Sequence, residues 1–180
     1  MLESTRALVS AFDSRGEGEA VKSRDLILAL LECAPQPFSR KTYTPGHITC
    51  TGMVLSPDRH KVLLVHHKRL ERWLLPGGHV EAEDSSAEES ARREVREETG
   101  AQLDSARGVL LNVDVHPIPP KKGEPLHLHH DLIWGFQAVA EDFVCSEESR
   151  AVAWCGLEEF DCYSLPMPIR RAVERSLRQS

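Results

Sequence analysis

The sequence predicts a mixed α/β or α+β fold in which strands flank a central helix. Three observations carry that expectation. Segments 47–56 and 61–67 are rich in Ile, Val, Leu and Thr, and Pro57-Asp58 between them supplies turn chemistry, which reads as a hairpin. Residues 86–98 hold neither Gly nor Pro and are dominated by Ala, Glu and Arg, so they read as a helix with Gly100 placed at its C-cap. Strand-like texture then returns at 107–116, 127–140 and 150–155, with a Pro- and Gly-bearing loop between the first two.

The remaining elements follow from spacing. Leu2, Leu8, Val9 and Phe12 mark a short amphipathic helix, and Gly16 and Gly18 loosen the chain after it. Leu26, Ile27, Leu30 and Leu31 repeat at helical spacing before Pro35 and Pro37 stop a second helix. Residues 1–39 are therefore expected to form a helical extension and 40–180 the main domain. The apolar stripe of the second helix needs a covering surface, either its own domain or a second subunit, and it motivates an expected homodimer. Residues 73–80 run from Trp73-Leu74-Leu75 into Pro76-Gly77-Gly78, and a last helix near Pro168 places Ile169, Val173 and Leu177 at i, i+4 and i+8.

Composition excludes several function classes. A net charge of −6 over 180 residues opposes non-specific nucleic-acid binding, which needs a basic face to displace counterions. No apolar run approaches the ~20 residues of a membrane span, and the N-terminus shows no secretory pattern. Cys33, Cys50, Cys145, Cys155 and Cys162 form no CxxC pair and are odd in number, so they read as free thiols of a cytoplasmic protein.

Chemistry concentrates in Gly77–Ala101, GGHVEAEDSSAEESARREVREETGA. On its helix, Glu97 and Glu98 lie roughly 60° and 40° either side of Glu94 around the axis. Such a cluster is often no more than a solvated acidic face with i,i+4 ion pairs, Arg93 to Glu97 among them. Three carboxylates on one stripe repel each other, however, and a hard cation such as Mg²⁺ would relieve that repulsion. The Gly-Gly turn before the helix and Gly100 after it tether these carboxylates in a loop–helix–loop.

This stretch resembles the Nudix box, GX5EX7REUXEEXGU with U a bulky aliphatic. Arg93 to Gly100 matches its second half residue for residue, and Gly78 matches the leading glycine. VHHKRLERWLLPGGHVE before the box and VHPIP…GEPLHLHHDL after it extend the likeness over roughly residues 40–160, in the manner of a bacterial Nudix subgroup. Two departures stand out. The interval from Gly78 to Arg93 is one residue too long, which puts the first acidic position on Asp84 or Ser85, with Asp84 preferred; the final aliphatic is the small Ala101.

The resemblance implies an α/β/α sandwich with a mixed sheet and hydrolysis of a diphosphate bond by water. It implies Mg²⁺, with Mn²⁺ as a substitute, held by Glu94, Glu97, Glu98 and the Gly77 carbonyl. Arg93 would orient a carboxylate, and the general base would be a box glutamate or a loop glutamate, for which Glu148 is preferred over Glu147. The expected substrate is a nucleoside diphosphate linked to another moiety: a nucleotide sugar, an ADP-ribose-like compound or a dinucleoside polyphosphate. The competing readings are a non-catalytic nucleotide-binding sensor and an isoprenoid-diphosphate isomerase, the latter needing a cysteine such as Cys50 in the cleft.

Other candidates come from the residues themselves. His127, His129 and Asp131 alternate on a strand and so project to one face, either toward substrate or metal or as a hydrogen-bonded structural cluster. His67 and Arg72, before the box, are substrate-contact candidates. His79 is assigned no catalysis, and Trp73, Trp134 and Trp154 are read as core.

Overall fold

Strand β1 (Gly46–Leu55) is the axis of the fold in the computed structural model, which describes residues 1–121, 123–147 and 149–178. Along one edge it runs parallel to β6 (His127–Gln137), from Gly46 opposite Leu128 to Leu55 opposite Gln137. Along the other it pairs antiparallel with β4 (Gly77–His79) at Thr49–Thr51 and meets β2 (Lys61–His67) only where Leu55 faces Val62. β7 (Ser149–Gly156) takes one edge of β2, β3 (Arg72–Leu74) pairs with β2 near its end, and β5 (Val109–Ile118) lies antiparallel to β6. The sheet is mixed and has seven strands.

The hairpin expected at 47–67 is thus closed only at its tip. Ser56 and Asp58 make the turn: the Ser56 N–H donates to the Lys61 carbonyl (2.9 Å), and the Asp58 carboxylate accepts from the Ser56 hydroxyl (2.6 Å) and the His60 N–H (3.1 Å). Beyond it the strands part, because β4 takes the edge of β1 that a regular hairpin would have given to β2.

Alternation along the strands divides the core in two. Ile48, Cys50 and Val54 of β1, with Leu132, Trp134 and Phe136 of β6, join one cluster with Ala87, Ala91 and Val95 of α3 (Ala87–Thr99) and Ile27, Leu30 and Leu31 of α2 (Gly18–Cys33). Met53, Leu55 and Ile133 join the other with Ile169, Ala172 and Val173 of α4 (Met167–Arg178). The side chain of Leu177 lies outside those described. Helices on both faces of a mixed sheet make the expected α/β/α sandwich.

The N-terminal helices belong to this sandwich. α1 (Leu2–Ser10) ends before Phe12, which packs instead beneath the Arg175 guanidinium, 4.7 Å from its ring centre. Arg175 also donates to the carbonyls of Asp13 (2.7 Å) and Ser14 (3.2 Å), tying α4 to the α1–α2 connection. The Ser23 hydroxyl accepts the Val115 N–H (3.2 Å), so α2 covers a donor of the edge strand β5. Within the helical stripe Ile27, Leu30 and Leu31 are buried by the chain's own sheet and only Leu26 is exposed, so the stripe no longer argues for a homodimer.

α3 is built as its sequence suggests. The Ser86 hydroxyl caps it by accepting the Glu89 N–H (3.1 Å), and Gly100 ends it in the left-handed region at φ 63°, its N–H donating to the Arg96 carbonyl. Trp134 is in the core as read; Trp73 and Trp154 are half-buried.

Candidate active site

α3 presents its carboxylates to β4 through the two glycines. A Cβ on Gly78 would stand 2.7 to 2.9 Å from the carboxylate atoms of Glu94, so any side chain there would push that carboxylate aside. The Gly77 N–H donates to the Glu98 carboxylate (3.0 Å), and Glu98 is buried, 7% exposed. Glu97 stands more in solvent.

Arg93 organises the cluster. One terminal nitrogen donates to Glu94 (2.8 Å) and Glu97 (3.0 Å); Nε and the other grip Asp84 with both bonds at 3.0 Å, and the latter also donates to the His79 carbonyl (2.8 Å). Asp84 accepts a further bond from the Glu81 N–H (2.9 Å) and is 8% exposed. Burial alone would raise its carboxyl, but Arg93 and the Glu81 N–H hold it below the ordinary aspartate range. Asp84 thus makes the arginine pair, Ser86 becomes the cap, and the extra residue is absorbed between Asp84 and α3.

On the face of the sheet beyond the α4 cluster lies a floor of imidazoles. His127, His129 and Asp131 do share one face, and the parallel register sets His47 opposite His129 and Thr49 opposite Asp131. The His47 ring lies 5.1 Å from those of His79 and His127 and 4.9 Å from that of His129, centre to centre. His116 of β5 approaches His129 at 5.7 Å and contacts Asp114 through Nδ1 (2.9 Å). Asp131 accepts the hydroxyls of Thr49 (3.0 Å) and Thr51 (2.9 Å); burial raises its carboxyl in spite of them and of His116. Burial works against the charged form of His116, yet Asp114 and Asp131 leave its pKa raised. Burial and neighbouring imidazoles drive His129 down to about 2, and burial with Arg40 drives His79 down to about 4.

The structure therefore gathers Gly77, Arg93, Glu94, Glu97 and Glu98 in one cluster and His127, His129 and Asp131 in another, with His79 touching both. His67 and Arg72 face each other across β2 and β3. His67 Nδ1 accepts the N–H groups of Arg69 (3.1 Å) and Leu70 (3.3 Å), which gives that atom a turn-building role. Glu148 lies outside the described residues, and the Glu147 carbonyl accepts from the Lys68 ammonium. Cys50 is fully buried, with its thiol pushed well above its ordinary pKa by burial and by Asp131, opposite to what a nucleophile needs. All five cysteines are free thiols. Sequence reasoning missed His47, Thr49, Thr51, Asp114 and His116. The polar alternation His47-Thr49-Thr51 on a strand was the available signal.

The molecule is a mixed-sheet α/β/α sandwich with a Gly-Gly strand under a carboxylate-bearing helix. Residues 46–176 match the NUDIX domain model. The chain is 32% identical over 126 residues to a Bacillus subtilis (strain 168) protein named "Putative 8-oxo-dGTP diphosphatase", covering 69% of this chain and 74% of that one. It is 32% identical over 108 residues to a Lactococcus lactis protein named "Probable DHNTP pyrophosphohydrolase", covering 59% of this chain and 63% of that protein. A Clostridium perfringens NUDIX hydrolase structure shares the fold at a TM-score of 0.51 and 21% identity, over 74% of this chain and 98% of its own. The chain belongs to the Nudix family. It is a Nudix pyrophosphohydrolase, and the family typically works with a divalent metal. Among the described residues no helix is long and apolar enough to cross a membrane.

Proposed function

We propose that this pyrophosphohydrolase hydrolyses a diphosphate bond of a nucleoside triphosphate, with Mg²⁺ held by Glu94, Glu97, Glu98 and the Gly77 carbonyl. The observation that carries the site is the carboxylate of Glu94 seated directly over Gly78, with Glu98 bonded to the Gly77 N–H. Three carboxylates and a main-chain carbonyl are the all-oxygen donor set a hard cation takes. When bound, that cation supplies neutralisation of phosphate oxygens and an acidified water.

The chain's own residues prepare the rest. Arg93 holds Glu94 and Glu97 in place while Asp84 fixes the far side of its guanidinium. Glu98 is a candidate to accept the water's proton, since burial keeps it from bulk solvent; Glu148 remains the loop candidate for that role. The polar face of His127, His129 and Asp131, with Arg72 near enough to act on His116, is suited to the nucleotide. Retention of all three box glutamates supports catalysis over a sensor role, and buried Cys50 gives no support to an isomerase.

The names of the two curated relatives denote triphosphate substrates, which favours a nucleoside triphosphate over the nucleotide sugar, ADP-ribose-like or dinucleoside compound expected from sequence. A panel of canonical and oxidised nucleoside triphosphates, nucleotide sugars, ADP-ribose and dinucleoside polyphosphates, run with Mg²⁺ and resolved by phosphorus NMR, tests this. Pyrophosphate and a nucleoside monophosphate are the expected products. A preference for diphosphate-linked compounds would overturn the triphosphate assignment.

A further inference from the structure

We propose that His47, His127 and His129 form a second metal site, separate from the box glutamates, that takes a borderline divalent cation of the zinc class. Each of the three offers one ring nitrogen, and these atoms lie within 4.8 Å of one another. A tetrahedral ion with nitrogen bonds near 2.0–2.1 Å needs its ligands about 3.3 Å apart, so the rings must close by at most about 1.5 Å. Small rotations about the side-chain dihedrals supply that.

Two of the three rings, His47 and His127, hold tautomers arranged for ligation. His47 Nδ1 lies 3.0 Å from the Thr42 carbonyl and His127 Nδ1 lies 2.8 Å from the Pro125 carbonyl. Each contact places the proton on Nδ1 and leaves Nε2 with its lone pair bare, the second-shell arrangement of metal-bound histidine. His47 Nε2 is buried without a hydrogen-bond partner, which is costly for a polar atom and is satisfied by a cation. Glu124 supplies counter-charge at His47, and Arg40 acts in the opposite direction.

The donor chemistry separates the two sites. Imidazoles select zinc-class ions, whereas the box offers only oxygen, which suits Mg²⁺. Three protein ligands leave a fourth position open, the mark of a site that receives water or a substrate atom.

Chelator-treated full-length protein, with Mg²⁺ in excess to fill the carboxylates, should be titrated with Co²⁺ by visible spectroscopy and with Zn²⁺ by calorimetry. One equivalent is expected, with intense tetrahedral cobalt bands and no thiolate charge-transfer band. His127→Gln and His129→Asn should each weaken Zn²⁺ at least ~30-fold. Glu98→Gln should leave Zn²⁺ binding unchanged. His47 is wholly buried, so the two β6 variants and the wild-type spectrum carry the test independently of its folding. No binding up to about 100 µM Zn²⁺, octahedral cobalt bands, a thiolate signature, or loss of binding in Glu98→Gln alone would each overturn the site.

Discussion

Replacing Asp84 by Asn tests how the arginine at the centre of the box is held. The Asp84 side chain is 3% exposed and that of Arg93 17%, and two bonds of 3.0 Å join them. Asn keeps one acceptor but turns an NH₂ toward Arg93 or the Glu81 N–H, so at least one charge-assisted bond becomes a donor–donor contact. Bonds to charged groups contribute about 1.5–3 kcal/mol, and removing one partner of a buried pair costs about 3–5. Arg93 retains Glu94 and Glu97, which lowers the expected loss to about 2–4 kcal/mol, a fall in Tm of roughly 5–15 °C for a chain of this size.

The same variant has a pH signature. Because the folded pKa of Asp84 lies below its ordinary value of 3.8, its stabilisation is complete above that value and lost as pH falls through the folded pKa. Urea or thermal melts of wild type and variant should therefore show a constant gap at neutral pH that narrows only in strong acid. A freed Arg93 would also close on Glu94, so the variant should need more Mg²⁺ for half-maximal turnover. A stability gap under about 1 kcal/mol at pH 7 would refute the reasoning.

Glu98→Gln should lower kcat at saturating Mg²⁺ by at least ~100-fold, about 2.7 kcal/mol of barrier, with little change in Tm because Gln can still accept the Gly77 N–H. Glu89→Gln, at a half-buried position with a 3.7 Å ion-pair contact to Arg96, is the control; Glu88 is unsuitable because it accepts both Arg92 (3.1 Å) and the Gly108 N–H (2.7 Å). Gly78→Ala should displace the Glu94 carboxylate and weaken Mg²⁺ activation, read as a right-shifted Mg²⁺ titration with the wild-type fold by circular dichroism. Leu30→Ala should cost about 2–5 kcal/mol, while Leu26→Ala on the same helix should cost almost nothing, since Leu30 is 1% exposed and Leu26 48%. Equal losses in chemical denaturation would contradict the docking of α2.

What could be read in advance was local. α3 was legible over 86–98 because the Gly100 cap, propensity and the spacing of Ala87, Ala91 and Val95 agree within one element. Counting along one short loop left Asp84 or Ser85, with Asp84 preferred, and it is Asp84 that bonds Arg93. The failures are non-local. Segments 47–56 and 61–67 read as a hairpin because a turn joins them, yet β1 finds its long partner in β6, and Thr49 bonds Asp131 from 82 positions away. Periodicity identifies the face a strand buries but carries no information on which strand lies beside it. The stripe on α2 shows the same gap: its need for a partner was visible, and only the fold shows that β5, with β1 and β6, supplies it.

The histidine floor depends on that missing link. In the sequence His127 and His129 are two imidazoles on one strand, and His47 is an isolated residue at the start of another. The register of β1 on β6 brings them together, and pairing of Thr49 with His79 brings β4 against the same surface. His79 then has one role on each side: its ring lies against His47 and His129, while its carbonyl accepts Arg93, the residue that grips Glu94 and Glu97. The carboxylate cluster and the imidazole floor are therefore joined by a single peptide unit of β4. A shift of that strand would disturb both, so any ligand ordering His47, His127 and His129 would also bear on how firmly Arg93 is anchored.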